Sequence, residues 1–390
     1  MKYRRFGKTE LQIPVISCGG MRYQQSFTDD VPVEEDCQKN LEACIHRSLE
    51  LGINHIETAR GYGTSEYQLG KILPTLPRHE MIIQTKVGPE DDVDKFIATF
   101  EKSMGLLNLD YVDLFAFHGI NNDVELERTK KCFDVAQKWK AEGRIRHIGF
   151  STHGLCESLV KTIETDLFEY INLHWYYVQQ DNWAAIEAAT QRDMGVFIIS
   201  PNDKGGKLYE PSAKMVDLCS PLHPMVFNGL YCLARSEVHT LSCGVSCPED
   251  FEIHLETATK SENAAAEIAP ILARVDAAAH EALGEDWYKH CYDGLPQWYN
   301  TPGEINMQVV LRLHNLLKAF DMEDYAKMRY NLLNEAGSWF PGNNAAEAKS
   351  LDFTTALKDS PFANRIPGVL AETHAALVGA QVKRLQQDDE

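Results

Sequence analysis

Short apolar runs alternate with amphipathic stretches along the first two thirds of the chain. The runs are almost continuously apolar, as expected of parallel strands that are covered on both faces. They predict eight strands, at 15–18, 53–59, 81–87, 111–118, 145–151, 170–175, 195–200 and 238–243. Apolar side chains recur at helical spacing over 34–51, 94–107 and 129–142, and Gly143 follows the last of these as a helix stop.

Eight strands that are each followed by a helix predict an α/β protein, with a (β/α)8 TIM barrel as the simplest closed arrangement. An open doubly wound sheet is the alternative, but no glycine-rich turn of the dinucleotide-binding type follows an early strand. Residues 3–16 predict an N-terminal β-hairpin with its turn near Gly7–Thr9. We expect this hairpin to plug the bottom of the barrel.

The character of the sequence changes near residue 261. Alanine-rich and amphipathic helical patterns follow at 263–283, 306–320 and 324–333, and no strand pattern returns. The chain is therefore predicted to consist of a barrel of residues 1–260 and an all-helical C-terminal domain of residues 261–390.

The charge balance limits the partners that the chain can have. Its net charge is −19, with 57 acidic against 38 basic side chains, so we expect neither nucleic acid nor a membrane surface as a general partner. No apolar run reaches the roughly 18 residues needed to cross a bilayer, and no secretory signal is visible. The ten cysteines are scattered through apolar segments, which fits reduced core thiols in a cytoplasmic protein.

Four ionisable side chains fall where the strands of a barrel carry active sites, at or after their carboxyl ends. Glu57 ends the second strand and Tyr62 follows it, while Lys86 and His118 end the third and fourth strands. Each of them alone has an ordinary structural explanation. Together they are specific, because a lysine beside a tyrosine lowers the phenol pKa from about 10 and a carboxylate keeps that lysine charged.

Four segments of the sequence resemble the aldo-keto reductase family. They are YRRFGKTELQIPVISCGGMR (3–22), HIETARGYGTSEYQLG (55–70), LNLDYVDLFAFH (107–118) and EGRIRHIGFSTH (142–153). The resemblance implies hydride transfer between a nicotinamide cofactor and a carbonyl or alcohol substrate. Tyr62 would be the general acid or base, Lys86 would lower its pKa, Glu57 would pair with Lys86, and His118 would orient the carbonyl oxygen. The family usually has aspartate in place of Glu57.

The same resemblance implies a cofactor site across the top of the barrel. Ser151 and Asn172 would contact the nicotinamide carboxamide, and Ser246 and His254 would lie at the adenosine end. The residues implied to hold the cofactor are Gly20, Met21, Ser151, Asn172, Ser200, Pro201, Gly206, Ser246 and His254. NADP is the usual cofactor of the family, but two carboxylates, Glu249 and Asp250, follow Ser246 and disfavour a 2′-phosphate, so NAD is the alternative.

The C-terminal part resembles a ferredoxin-like domain that one branch of the family carries, with two motifs of the form C-x2-C-x2-C-x3-C-P. The motif positions hold Cys291, Gly294, Gln297 and Thr301 before Pro302, then Ser350, Phe353, Ala356 and Ser360 before Pro361. Each cluster needs about four thiolates. We therefore expect no iron–sulfur cluster, and packing of Trp287, Trp298, Trp339 and Phe340 in its place.

No metal site is predicted elsewhere either. His239, Cys243, Cys247 and His254 are the residues that come closest to a zinc-ligand set, but their spacing fits no common structural zinc pattern.

These patterns favour an NAD(P)H-dependent oxidoreductase whose partner is a small carbonyl or alcohol substrate. A nicotinamide-binding regulatory or scaffold protein with little turnover is the alternative, favoured by Glu57 and by Ile199, which replaces an aromatic residue. A lyase or isomerase with a Schiff base on Lys86 would leave Tyr62 unexplained. Substrate choice would depend on loops such as 28–34, 120–127 and 202–221, and no pattern specifies an oligomeric state.

Overall fold

The structure is a computed structural model that describes residues 1–379, and these form two compact units. Among these residues, the first unit comprises Met1–Gly205 and Asn228–Ala265, and the second comprises Gly206–Phe227 and residues 266–379. The segment Gly206–Phe227 groups with the second unit, a division that the sequence pattern did not indicate. The predicted domain boundary between residues 260 and 261 stays a prediction.

A closed barrel of parallel strands forms the first unit, which confirms the predicted TIM barrel and shows that the open-sheet alternative is wrong. The strands pair in chain order, and the last pairs with the first. They are β3 (Ile16–Gly19), β4 (His55–Glu57), β5 (Ile82–Val87), β6 (Val112–His118), β7 (Ile145–Ser151), β8 (Tyr170–Leu173), β9 (Gly195–Ile198) and β10 (Thr240–Gly244). Each of the eight predicted runs overlaps one of them, because burial on both faces leaves little room for polar side chains.

The helices lie close to the predicted positions. In chain order they are α1 (Glu35–Glu50), α2 (Ser65–Ile72), α3 (Val93–Leu107), α4 (Asp123–Ala141), α5 (Cys156–Ile163), α6 (Trp183–Gln191), α7 (Ala213–Cys219), α8 (Pro224–Leu233), α9 (Phe251–Lys260), α10 (Ala264–Leu283), α11 (Glu285–His290), α12 (Met307–Phe320), α13 (Glu323–Tyr330) and α14 (Ile366–Leu377). Helix α4 begins earlier than predicted because the Asn122 side chain accepts hydrogen bonds from the backbone N–H groups of Val124 and Glu125. Gly143, two residues after the end of α4, has a φ of 77°, the left-handed conformation in which glycine commonly terminates a helix.

The predicted N-terminal hairpin is confirmed. Strands β1 (Tyr3–Arg5) and β2 (Gln12–Pro14) pair antiparallel around a turn of 3-10 helix at Gly7–Thr9. Phe6 and Ile13, from this hairpin, join the apolar cluster at the starts of the barrel strands, and the Phe6 ring lies 5.6 Å from the Tyr170 ring. The hairpin therefore closes the end of the barrel opposite the carboxyl ends of its strands.

The second unit is built from helices around aromatic side chains. Trp287 is buried against Phe362, with ring centroids 5.0 Å apart, and the Arg365 guanidinium lies over its ring, 3.9 Å from the centroid. Phe340 is also buried, and Trp298 and Trp339 are partly buried. That these four aromatic residues replace metal clusters stays a prediction. A cleft of about 730 Å³ lies between the segments Gly294–Pro302 and Asp352–Asp359.

Residues 1–379 contain no helix long and apolar enough to cross a membrane. All ten cysteines are free thiols. Within the same residues no group of three or more histidine, cysteine or carboxylate side chains is placed to hold a metal ion, and the set at 239–254 forms no such group.

The barrel interior is tightly packed around Gly149, which pairs with Ala116 on one side and Tyr170 on the other. A Cβ at this position would lie 2.5 Å from the Tyr170 ring.

We expect Gly149→Ala to lower the free energy of unfolding by about 1–3 kcal/mol, because extra atoms in a close-packed core force side chains and backbone to shift. Chemical denaturation measures the change. As a matched control, Gly105→Ala on the exposed face of α3 meets nothing within 4 Å and should stabilise the chain by up to about 1 kcal/mol. Equal effects of the two changes would contradict the packing account.

Candidate active site

The four predicted ionisable side chains meet at the carboxyl ends of β4, β5 and β6. The Lys86 ammonium donates to a Glu57 carboxylate oxygen, to the Thr58 carbonyl oxygen at 2.8 Å and to the Tyr62 hydroxyl at 3.3 Å. The Tyr62 and His118 rings meet edge to face, with centroids 5.8 Å apart. The ends of β4, β5 and β6 and the turn after β4 thus bring a carboxylate, an ammonium, an imidazole and a phenol to one point.

The Glu57–Lys86 ion pair is almost wholly buried, with 3% of Glu57 and 1% of Lys86 exposed. The second oxygen of the Glu57 carboxylate accepts a hydrogen bond from the Ser242 hydroxyl at 2.9 Å. The extra methylene of glutamate, compared with aspartate, therefore does not break the pair. Sequence reasoning missed Ser242, although its place on β10 facing the barrel interior follows from the alternation of side chains along a strand.

The protonation states follow from burial and from the Lys86 charge. Burial raises the pKa of the Tyr62 phenol, and Lys86 opposes that rise without cancelling it. From the sequence, a lowered Tyr62 pKa was expected. Lys86 does act in that direction, but burial outweighs it, so the expected net direction was wrong. Burial, followed by the Lys86 and Lys204 charges, lowers the pKa of His118 to about 3. At neutral pH Tyr62 is a neutral phenol and His118 a neutral imidazole.

Burial disfavours the charged form of Lys86 itself. The carboxylate of Glu57 and the Tyr62 oxygen outweigh that cost, and the pKa of Lys86 is raised. The ammonium is consequently kept at neutral and at moderately alkaline pH.

Ser151 lies on β7 and Asn172 on β8. In the strand pairing, His118 is opposite Ser151, and Ser151 is opposite Asn172. The Ser151 hydroxyl accepts from the Gly119 backbone N–H at 3.2 Å. Asn172 is fully buried, and within residues 1–379 neither atom of its side-chain amide has a hydrogen-bonding partner. A buried amide left in that state is costly, and a ligand carboxamide could accept from it and donate to it. These residues fit a nicotinamide.

Five further residues that were predicted to hold the cofactor lie in two loops, after β3 and after β9. Gly20 lies so close to the Glu57 carbonyl oxygen that no side chain fits there, and Met21 follows it in a half-exposed turn. Ser200 adopts a left-handed backbone conformation with a φ of 53°, and the Pro201 carbonyl accepts from the Asn228 amide at 2.9 Å. Gly206 belongs to the second unit, and its role stays a prediction.

Ser246 and His254 flank a carboxylate. Asp250 accepts from the Ser246 backbone N–H at 2.7 Å and from its hydroxyl at 2.8 Å. Arg22 donates to the Ser246 hydroxyl at 3.3 Å and lies 3.8 Å from the Asp250 carboxylate. His254 is buried, which lowers its pKa to about 4, and its Nε2 atom has no hydrogen-bonding partner among the described residues. Sequence reasoning missed Arg22, which reaches this place from the turn after β3.

A second basic cluster lies near the ends of β7 and β8 and was also missed. The Lys204 ammonium lies 3.3 Å from His153 Nδ1, and the same nitrogen is 2.7 Å from His174 Nε2. From the sequence, Lys204 was considered only as part of the loop 202–221, on which substrate choice would depend. His153 and His174 belong to no common sequence motif, because only the folded barrel brings them together.

Residues 15–205 match the model of the aldo/keto reductase family. The chain is 29% identical over 180 residues to L-galactose dehydrogenase of Arabidopsis thaliana, covering 44% of this chain and 51% of that protein. It is 25% identical over 169 residues to L-glyceraldehyde 3-phosphate reductase of Escherichia coli, covering 39% and 46%. The chain thus spans about half the length of these curated relatives. An aldo-keto reductase structure from Bacillus halodurans shares the fold, with a TM-score of 0.57 at 21% identity, covering 70% of this chain and 96% of that one.

The buried ion pair generates a stability prediction. We expect Glu57→Gln and Lys86→Met each to lower the free energy of unfolding by about 3–5 kcal/mol, because each leaves an uncompensated buried charge. The double variant should lose clearly less than the two single losses together. Urea denaturation of all four proteins measures the coupling.

Glu142→Gln is the matched control, because it removes a carboxylate that pairs with Lys138 at the surface, 3.8 Å away. It should change the stability by at most about 1 kcal/mol. Strictly additive losses in the double variant would show that Glu57 and Lys86 do not stabilise one another.

Proposed function

Because the chain belongs to the aldo/keto reductase family through residues 15–205, we propose that it is a nicotinamide-dependent oxidoreductase that interconverts a small carbonyl compound and its alcohol. The observation that carries the proposal is the convergence of Tyr62, Lys86, Glu57 and His118 at the carboxyl end of the barrel. Asn172, with its unsatisfied buried amide, supports a nicotinamide beside them.

Tyr62 is proposed to protonate the carbonyl oxygen as charge develops on it. Its phenol is protonated at neutral pH, since burial raises its pKa, and the neighbouring Lys86 ammonium stabilises the phenolate that remains after the transfer. Glu57 holds the ammonium in place from the other side. In the oxidative direction the same phenolate would accept the proton of the alcohol.

His118 is proposed to orient the carbonyl oxygen. Its pKa of about 3 keeps the imidazole neutral, so that it offers an N–H hydrogen bond without adding a charge to the site. A bound reduced nicotinamide would supply the hydride. Ser151 and Asn172 would hold its carboxamide, because they lie on the adjacent strands at the same height as His118.

For the nucleotide we propose NAD(H) rather than NADP(H), which the family resemblance had favoured. The Asp250 carboxylate already accepts both hydrogen bonds that Ser246 offers and lies beside the Arg22 guanidinium. A 2′-phosphate at Ser246 would have to displace this carboxylate or lie against it, and both cost free energy.

The names of the curated relatives support a small oxygenated substrate. One is a dehydrogenase of L-galactose and another a reductase of L-glyceraldehyde 3-phosphate. We propose a substrate of that general size, with several polar groups around one carbonyl.

We also propose that the C-terminal part of the chain, from residue 261, descends from a ferredoxin-like domain whose cluster ligands have been replaced. Segments with the two degenerate motifs face one another across the cleft, and Gly294 approaches the Asp359 carbonyl so closely that no side chain would fit. Cys291, the one remaining motif cysteine, is buried and accepts a hydrogen bond from the Asn315 amide at 3.4 Å. The family match ends at residue 205, so this part of the proposal depends on the sequence frame and this packing.

The general acid is tested by Tyr62→Phe. We expect the turnover of 4-nitrobenzaldehyde at saturating NADH to fall by about 10²-fold or more, with an unchanged Kd for NADH, because the variant loses only the proton donor. Nucleotide absorbance and tryptophan fluorescence measure the two quantities. Tyr67→Phe, on the exposed face of α2, is the control and should behave as wild type.

Full turnover in Tyr62→Phe would contradict the proposed role of the phenol. A wild-type protein that binds NADH but reduces no carbonyl compound would instead favour the nicotinamide-binding regulatory alternative.

Nucleotide preference is tested by Asp250→Asn. We expect wild type to bind NADH more tightly than NADPH, and the variant to bind NADPH about tenfold more tightly than wild type does, because one negative charge near the 2′-phosphate is removed. The Kd of NADH should change little. Titration with both nucleotides measures the shift, and Glu249→Gln removes a charge from the exposed neighbour as control. Tighter binding of NADPH than of NADH by wild type would overturn this assignment.

A further inference from the structure

We propose that Ser242 is a positioning residue for the proposed proton transfer. Its hydroxyl fixes the Glu57 carboxylate, and that carboxylate in turn directs the Lys86 ammonium toward Tyr62. This inference rests on the proposed oxidoreductase function and extends its machinery to strand β10. It follows from the direction of the Ser242 hydrogen bond, from the space that Gly19 leaves for it and from the three N–H groups of Lys86.

The Ser242 hydroxyl donates to the Glu57 carboxylate. Its oxygen lies 2.9 Å from Glu57 Oε1, and both side chains are buried, with 6% of Ser242 and 3% of Glu57 exposed. A carboxylate that pairs with a lysine ammonium is ionised and only accepts hydrogen bonds, so the serine is the donor. Lys86 binds the other carboxylate oxygen, Oε2. Two strands therefore fix the two oxygens, β10 holding Oε1 and β5 holding Oε2.

Ser242 reaches Glu57 across strand β3, and Gly19 leaves the space for that contact. Gly19 pairs with Gly244 of β10 on one side and with Glu57 of β4 on the other. A Cβ atom at Gly19 would lie 2.7 Å from the Ser242 hydroxyl oxygen, so a larger residue would displace that hydroxyl. The hydrogen bond therefore depends on a glycine in the strand that separates its two partners.

The contacts of Lys86 explain why the orientation of the carboxylate matters. An ammonium has three N–H groups in a fixed tetrahedral arrangement. One donates to Glu57, one to the Thr58 carbonyl oxygen at 2.8 Å and one to the Tyr62 hydroxyl at 3.3 Å. The Thr58 carbonyl belongs to the backbone, so fixing the carboxylate as well determines the direction of the third N–H group. Without Ser242 the carboxylate would be free to turn, and the ammonium would turn with it, away from the phenol.

The same hydroxyl limits the effect of the Glu57 charge on the phenol. Burial raises the pKa of Tyr62, the Lys86 charge lowers it, and the Glu57 charge raises it again. A hydrogen bond to a carboxylate partly compensates the negative charge on its oxygen. Removal of the Ser242 hydroxyl therefore disfavours the phenolate that Tyr62 becomes when it protonates the carbonyl oxygen.

Other titratable groups near the ion pair contribute no charge at neutral pH. Five buried side chains feel the charge of Glu57 or Lys86, namely Cys18, Tyr23, His55, His118 and Tyr170. Burial raises the pKa of the cysteine and of both tyrosines well above the usual range, and it lowers the pKa of each histidine to about 3. The ionisable residues of the loop after β9, Asp203 and Lys204, are the same in all the variants compared below.

The test is Ser242→Ala in the full-length protein, with 4-nitrobenzaldehyde and saturating NADH at neutral pH. We expect kcat to fall by about three- to tenfold, with the KM of the aldehyde and the Kd of NADH changed by no more than about twofold, because the hydroxyl acts on proton transfer and not on binding. The ratio of kcat in H₂O to kcat in D₂O should rise, since proton transfer from Tyr62 then limits the rate more strongly. Ser242→Cys, which keeps a weak donor, should lie between wild type and Ser242→Ala.

Ser17→Ala is the matched control. Ser17 lies opposite Ser242 in the strand pairing and is fully buried. Its hydroxyl forms hydrogen bonds with His55 at 2.7 Å and with Thr240 at 2.6 Å. Its loss should lower the stability but leave kcat and the D₂O effect unchanged. Wild-type kcat in Ser242→Ala would overturn the proposal, as would an equal fall in Ser17→Ala, an unchanged D₂O effect, or a rise in KM without a fall in kcat.

A stability measurement separates this inference from the proposed function. In urea denaturation, Ser242→Ala should lose clearly less stability in the Glu57→Gln background than in wild type, because a hydrogen bond to a neutral amide is weaker than one to a carboxylate. Ser17→Ala should lose the same in both backgrounds. Glu57→Asp, which keeps the charge but shortens the reach to Ser242, serves as the background if Glu57→Gln does not fold.

The two proposals then fail in different ways. If wild type reduces no aldehyde, the proposed function fails, but a smaller loss in the Glu57 background would still support Ser242 as the residue that holds the carboxylate. Equal losses from Ser242→Ala in both backgrounds would overturn the inference even in an active enzyme.

Discussion

A buried ammonium–carboxylate pair holds the carboxyl end of the barrel together. Lys86 and Glu57 come from neighbouring strands, and the ammonium also contacts the Thr58 carbonyl and the Tyr62 hydroxyl. Neither charge would be tolerated in the interior without the other. The arrangement of the phenol, the imidazole and the proposed nicotinamide contacts around it depends on this pair being intact.

The sequence predicts the barrel and its reaction centre because both depend on local patterns. Continuous apolar runs mark the strands, and the motif at 55–70 contains both Glu57 and Tyr62. The carboxyl ends of parallel strands meet at one edge, so Lys86 and His118 could be assigned to the same place from their positions alone.

The residues that sequence reasoning missed depend on contacts between distant segments. Ser242 reaches Glu57 across 185 residues, and Arg22 reaches Ser246 across 224. No local spacing connects such pairs, and only barrel closure does. The net direction of the Tyr62 pKa was missed for a related reason, because the amount of burial depends on the whole barrel rather than on the neighbouring lysine. The hydrophobic pattern likewise does not indicate that Gly206–Phe227 groups with the second unit.

Closure of the barrel between β3 and β10 also constrains the order of folding. Cys18 pairs with Cys243 and Gly19 with Gly244, so the edge of β3 that does not pair with β4 has no neighbour until more than half of the chain has left the ribosome. Contacts of such high sequence separation form slowly, and an unpaired strand edge invites association with other chains in the meantime. The early hairpin cannot complete its apolar cluster before Tyr170 and Phe197 are synthesised. Nascent chains of this protein should therefore need protection from aggregation until β10 emerges.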